Sequence, residues 1–128
     1  MRGIEVVVSL PMPETETAVK GALAEEGFGV LSEIDVASVL ASKIGVQRTP
    51  LKILGACNPH IAHRALEQDP SVSLLLPCNV VIESLGDSST RVVAVDPLEL
   101  MAGDEFKDLA TEAREHIQNA LSKLPTIT

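Results

Sequence analysis

Short runs of β-branched residues alternate along the chain with longer segments whose apolar residues recur every three or four positions. The first pattern predicts strands and the second predicts amphipathic helices. Strands are predicted at residues 4–10, 28–34, 51–57, 78–84 and 91–95. Helices are predicted from Pro13 to a stop at Gly27, over residues 36–44, from Pro59 to the Asp69-Pro70 pair, and over residues 104–124. The order β-α-β-α-β-α-β-β-α predicts one α+β domain over residues 1–128, with helices mainly on one face of the sheet.

Two of the helix starts carry a polar cap. Asp35 caps the helix over residues 36–44, and Gly45 supplies its stop. Asn58 with Pro59 is a strong start signal, because Asn satisfies a free N–H and Pro lacks the one that would be unpaired. Capping explains both residues fully. The alternative is that the free N–H groups at this helix start bind a small anion.

Composition and charge exclude several classes of function. The net charge of −8 would repel a phosphate backbone, and two Phe with no Tyr or Trp leave almost nothing on which bases could stack. Nucleic acid is therefore not expected as a partner. No stretch approaches the roughly 18 unbroken apolar residues of a membrane span, and we expect a cytoplasmic protein with reduced cysteines.

The two cysteines, Cys57 and Cys78, are the most informative side chains of the sequence. Cys57 precedes a helix start, where N–H groups and the helix dipole would favour a thiolate and lower its pKa. The inward set of the third strand is predicted as Leu51, Ile53, Gly55 and Cys57, and Cys78 shares parity with Val80 and Ile82. The cysteines are thus either two buried small hydrophobes or a reactive pair.

Three further groups of residues are candidates for weaker reasons. Cys57, His60, His63 and Cys78 make a sulfur and nitrogen set of the kind that zinc prefers, although both histidines read more simply as surface residues. No other cofactor is indicated. Glu33 and Lys43 fall near the second strand and its helix, where an exposed ion pair is a simpler interpretation than acid–base chemistry.

Three segments together resemble a known family. They are residues 26–35 (EGFGVLSEID), residues 54–59 (LGACNP) with Ala62, Ala65 and Leu66, and residues 74–80 (LLLPCNV). In this order and spacing the chain is similar to domain-of-unknown-function family 302, small proteins of bacteria and archaea. The resemblance implies a TATA-binding-protein-like topology, with a curved antiparallel sheet, helices on one face, and association as a dimer. Members often carry an aromatic residue near the start of the third strand, where this chain has Leu51.

The antiparallel arrangement implied by the resemblance would bring Cys57 and Cys78 together, because the segment between them leaves and re-enters the sheet at one edge. The family carries no established activity, and the sequence has no glycine-rich phosphate loop or nucleophile elbow. The first hypothesis is therefore a homodimeric binding or accessory module whose ligand, a small molecule or anion, is unidentified. The second is a thiol-dependent redox or soft-metal protein centred on Cys57 and Cys78.

Overall fold

A computed structural model describes residues 3–101 and 103–127. Residues 1, 2, 102 and 128 of the predicted domain lie outside the described residues. The strands are β1 (Gly3–Val8), β2 (Gly29–Asp35), β3 (Leu51–Cys57), β4 (Cys78–Gly86) and β5 (Ser89–Val95). The α-helices are α1 (Met12–Glu25), α2 (Val36–Ile44), α3 (Pro59–Gln68), α4 (Pro97–Leu100) and α5 (Lys107–Ser122). Two 3₁₀ helices span Pro70–Leu75 and Asp104–Phe106.

The five strands form one sheet in the order β1-β5-β4-β3-β2. Every neighbouring pair of strands in it is antiparallel. The predicted α+β class, with a five-stranded antiparallel sheet, is confirmed. Strands β1 and β2 form the two edges, so the central strands β5, β4 and β3 have hydrogen-bonded neighbours on both sides.

Helices α1 and α5 cover one face of this sheet. Val19 and Leu23 of α1 and Ile117 of α5 are at most 1% exposed in the core cluster. Their partners on the sheet are the fully or almost fully buried side chains of Leu54, Val80, Ile82 and Val92. Burying a side chain of this size contributes roughly 1.5–3 kcal/mol relative to exposure. This face is therefore the structural core.

The predicted inward set of β3 is wrong by one position. Leu54 and Ala56 point into the core at 0% and 1% exposure, whereas Ile53 pairs with Val81 on the other face. Both parities of β3 are apolar apart from Lys52, so the pattern alone does not show which parity is buried. In the structure Lys52 lies at the margin of the helix-covered face, where its Nζ contacts the Glu16 carboxylate of α1 at 2.8 Å.

The local signals at the helix starts work as predicted. The Asp35 side chain accepts a hydrogen bond from the Ser38 N–H at 3.0 Å, and Gly45 ends α2 in the left-handed conformation with φ of 68°. The Asn58 side chain accepts one from the Ile61 N–H at 3.3 Å. These caps depend only on residues close in sequence, so the sequence could reveal them.

Two short elements were not predicted, and both begin at an Asp-Pro pair. Asp69 caps the 3₁₀ helix Pro70–Leu75, and Asp96 caps α4 by accepting a hydrogen bond from the Leu98 N–H at 3.0 Å. An Asp-Pro pair ends one helix but is equally suited to begin another, because Asp caps and Pro fits the first turn.

Across the described residues, no helix combines the length and the apolar character needed to cross a membrane.

Candidate functional site

The second face of the sheet has no helix packed over its centre and carries three cross-strand rows of side chains. The middle row consists of Glu5, Val93, Val81, Ile53 and Ile34, taken from β1 across to β2. A second row contains Val7, Arg91, Glu83 and Leu51. The third contains Gly3, Val95, Asn79, Gly55 and Ser32. Most of the apolar side chains in these rows are only half-buried, so this open face exposes apolar surface.

A cleft of about 770 Å³ lies on the open face over β1, β5 and β4. Its floor is formed by Val81, Val93 and Val95, and its walls come from the 3₁₀ segment and from α4. The full set of lining residues is Gly3, Glu5, Leu74, Leu75, Leu76, Pro77, Asn79, Val81, Val93, Ala94, Val95 and Leu100. Ligand sites are typically apolar clefts of about 300–1,000 Å³ with a few polar groups. The cleft has the size and the composition of such a site.

Two polar side chains line the cleft from opposite sides of its valine floor. Glu5 is on β1 and Asn79 is on β4, two strands away and one row along, which separates their backbones by roughly 12 Å. No described side chain donates a hydrogen bond to either of them. Among the described residues the cation nearest to Glu5 is Arg91, whose Nε lies 3.8 Å from the carboxylate, beyond hydrogen-bond distance.

The charged row beside the cleft is occupied by its own ion pairs. Arg91 donates to the Glu83 carboxylate at 3.2 Å through Nη1, and Arg48 pairs with the same carboxylate. Both guanidinium groups are therefore engaged outside the cleft. Glu5 is the one ionisable side chain among the described lining residues.

No motif in the sequence predicts this cleft, although the sequence carries one signal for its apolar floor. Val80, Val81 and Ile82 of β4 are consecutive apolar residues, as are Val92 to Val95 of β5. A strand covered on one side alternates apolar with polar residues, so consecutive apolar residues indicate that both faces are apolar. With too few helices to cover both, one apolar face had to stay open. The wall residues could not be found this way.

The cysteine site predicted from the sequence is only partly assembled. Strands β3 and β4 are antiparallel, as the family resemblance implied, but the register pairs Cys78 with Ala56 and leaves Cys57 one position further on. Residues one position apart in a strand project to opposite faces. The shared inward parity predicted for the two cysteines is therefore wrong, and both are free thiols.

Cys57, Asn58 and Cys78 nevertheless border one small cavity between the sheet and α3. Its volume is about 20 Å³, close to that of a single water, and Phe28, Ile61 and other apolar side chains line it. Burial raises the pKa of Cys57. Burial, with a smaller contribution from the charge of Cys57, raises the pKa of Cys78 to about 11. These shifts are opposite to those that a reactive thiolate needs.

The remaining residues of the predicted site do not converge. Pro59 and His60 are exposed at the start of α3. In residues 3–101 and 103–127, no three His, Cys, Asp or Glu side chains are grouped as metal ligands, so Cys57, His60, His63 and Cys78 do not form the zinc set considered above. Asn58 caps α3, and its amide also donates to the Glu26 carbonyl at 3.4 Å.

Glu33 and Lys43 do not pair with each other. Glu33 instead lies 3.2 Å from Lys20 and 3.7 Å from Lys52, on the helix-covered side of β2. Lys20 and Lys52 also bind the Glu16 carboxylate. Burial opposes the ionisation of this carboxyl, but the hydrogen bonds from the two lysines have the larger effect together and lower its pKa to about 2. Lys43 is exposed in the last turn of α2 and has no ion-pair partner among the described residues. This network joins α1 to the sheet.

Comparisons with known proteins agree on the family. Residues 4–124 match the family model described as "Domain of unknown function DUF302". No curated protein matches the chain. The crystal structure of an uncharacterized conserved DUF302 protein from Bacillus stearothermophilus is similar, with a TM-score of 0.87 and 30% sequence identity. The match covers 97% of this chain and 98% of that one. The chain therefore belongs to the DUF302 family, as the resemblance of its three motifs indicated.

Proposed function

We propose that this protein is a homodimeric binding module of the cytoplasm, without catalysis of its own, that holds a small and largely apolar molecule on the open face of its sheet. The observation that carries the proposal is the cleft of about 770 Å³. Its floor is a rigid part of the sheet, because β5 and β4 are hydrogen-bonded on both sides. Because this floor is already ordered, ligand binding does not carry the free-energy cost of ordering it, which favours affinity.

Binding of the neutral fluorescent dye Nile red tests this proposal. We expect the wild-type chain to bind the dye and Val81→Gln to bind it at least about fivefold more weakly, because the amide places a polar group on an apolar floor. Ile53→Gln is the matched control, since Ile53 pairs with Val81, lies on the same face and is also half-buried, but does not line the cleft. Absence of dye binding, or equal weakening by both substitutions, would contradict the proposal.

The dimer is proposed to form at the edge strand β2. A bulge between Val30 and Ser32 accompanies the projection of Leu31, which is 72% exposed, and Ile34 is 49% exposed on the same strand. Helix α2 and the residues after it add the exposed side chains of Val39, Ile44 and Val46. Exposed apolar side chains on an edge strand favour association with a second copy, and two copies of one edge meet naturally about a two-fold axis.

Sedimentation velocity tests the dimer. We expect a dimer at micromolar concentration and a shift towards monomer in Leu31→Lys, because the substitution places a charge in the interface. Leu74→Lys is the control, since Leu74 is 87% exposed but lies at the cleft, away from β2. A wild-type monomer at all accessible concentrations, or a loss of dimer in Leu74→Lys alone, would overturn this interface.

The thiol-dependent alternative finds no support in the geometry. The raised pKa values of Cys57 and Cys78 and the very small cavity between them favour the interpretation of both as packing residues.

A further inference from the structure

The charge of the ligand can be inferred from the polar groups of the cleft, provided that the cleft is the binding site proposed above. Glu5 is the one ionisable group among its described lining residues, and a carboxylate can only accept hydrogen bonds. An apolar molecule with an anionic group would place that charge near a carboxylate. The net charge of −8 adds a long-range repulsion of anions and an attraction of cations.

The Glu5 carboxylate retains capacity for a further cation. Its nearest described cation, the Arg91 Nε atom, is 3.8 Å away, and the side chains of Arg91 and Glu5 are 41% and 55% exposed. The Nε atom itself is buried and has no described hydrogen-bond partner, so the Glu5 carboxylate accepts no hydrogen bond from it. Arg91 is also committed to Glu83 through the shorter contact of 3.2 Å. An ammonium group lying in the cleft could therefore approach Glu5 without displacing a hydrogen bond among the described residues.

The two ends of the cleft also differ in chemistry. Glu5 lies at the β1 side, whereas the walls formed by Leu74, Leu75 and Leu76 are apolar. We propose that the cleft recognises a single-tailed amphiphile with one cationic amine, the tail lying over Val81 and Val93 and the ammonium group paired with Glu5.

Three probes with the same ten-carbon tail test this proposal, namely decylamine, decanol and decanoate, each below its aggregation limit and in competition with Nile red at neutral pH. We expect decylamine to bind about threefold to fivefold more tightly than decanol, the size of a partly exposed ion pair, and decanoate to bind most weakly. The preference for decylamine should shrink in high salt, because exposed charges are screened.

Glu5→Gln should abolish the preference for decylamine over decanol, and a circular dichroism spectrum like that of the wild type shows that the variant is folded. Glu115→Gln is the charge-matched control, because Glu115 is exposed on α5, on the helix-covered side of the sheet. It should keep the preference. Equal binding of decylamine and decanol by the wild type, tighter binding of decanoate, or an unchanged preference in Glu5→Gln would overturn the assignment of a cationic ligand. If the dye binds but none of the probes competes with it, the amphiphile is overturned while the binding module stands. If the dye does not bind, the binding module itself is contradicted.

Discussion

Cys78 is expected to react with iodoacetamide at neutral pH at least about a hundredfold more slowly in the folded protein than in the unfolded chain. Its pKa is raised to about 11 from an ordinary value of 9.0, mainly by burial. Only the thiolate reacts, so the reactive fraction at neutral pH falls by about a hundredfold. The rate of alkylation should rise about tenfold for each pH unit and level off only near pH 11, provided that the fold persists.

The measurement is best made on the single-cysteine variants Cys57→Ala and Cys78→Ala, by mass spectrometry over a series of pH values. The thiol of Cys57, which is half-buried with a raised pKa, serves as the internal comparison and should react faster than that of Cys78. Rapid alkylation of either thiol below pH 7, together with a disulfide on mild oxidation of the wild type, would favour the thiol-dependent alternative over the binding module.

Gly55→Val is expected to lower the free energy of unfolding by about 2 to 3 kcal/mol, the cost of overpacking a tightly filled position. A Cβ at residue 55 would overlap the Ser32 Oγ atom and would lie 2.9 Å from the Cγ atom of Pro77. The Ser32 hydroxyl can rotate away, but the proline ring cannot. Since Pro77 lines the cleft, the substitution should weaken ligand binding as well.

Gly29→Val provides the control for this prediction. Gly29 is also a strand glycine, on β2, but a Cβ there would have no other heavy atom within 4 Å. Valine suits a strand better than glycine, so this variant should unfold at the same urea concentration as the wild type or slightly higher. Equal losses of stability in the two variants would show that the Pro77 contact is not the cause.

Those parts of the fold that depend on neighbours in sequence were predictable. The bounds of β3, the Asp35 and Asn58 caps and the glycine stop of α2 follow from a few adjacent residues each. The face of β3 was not predictable, because Leu51 and Ile53 are as apolar as Leu54 and Ala56. Only the packing of α1 and α5 decides which set is buried.

The candidate site depended on long-range packing to a greater degree. Cys57, Asn58 and Cys78 border one cavity, but it admits no more than about one water, and the two cysteines project to opposite faces of the sheet. The cleft needs Glu5 from β1, Asn79 from β4 and the leucines that precede β4 to meet on one face. No pattern of spacing in the sequence predicts that these residues lie together. Only the runs of consecutive apolar residues in β4 and β5 indicated that the sheet has a second apolar face.

A titration of the ¹⁵N-labelled protein with decanol, followed in two-dimensional NMR spectra, locates the bound molecule and so tests the ligand site itself. We expect saturable shifts at Leu75, Asn79, Val81 and Val93, with little change at Cys57 and Ile61. Shifts centred on the cavity between the sheet and α3, or no saturable shifts at all, would contradict a ligand site on the open face of the sheet.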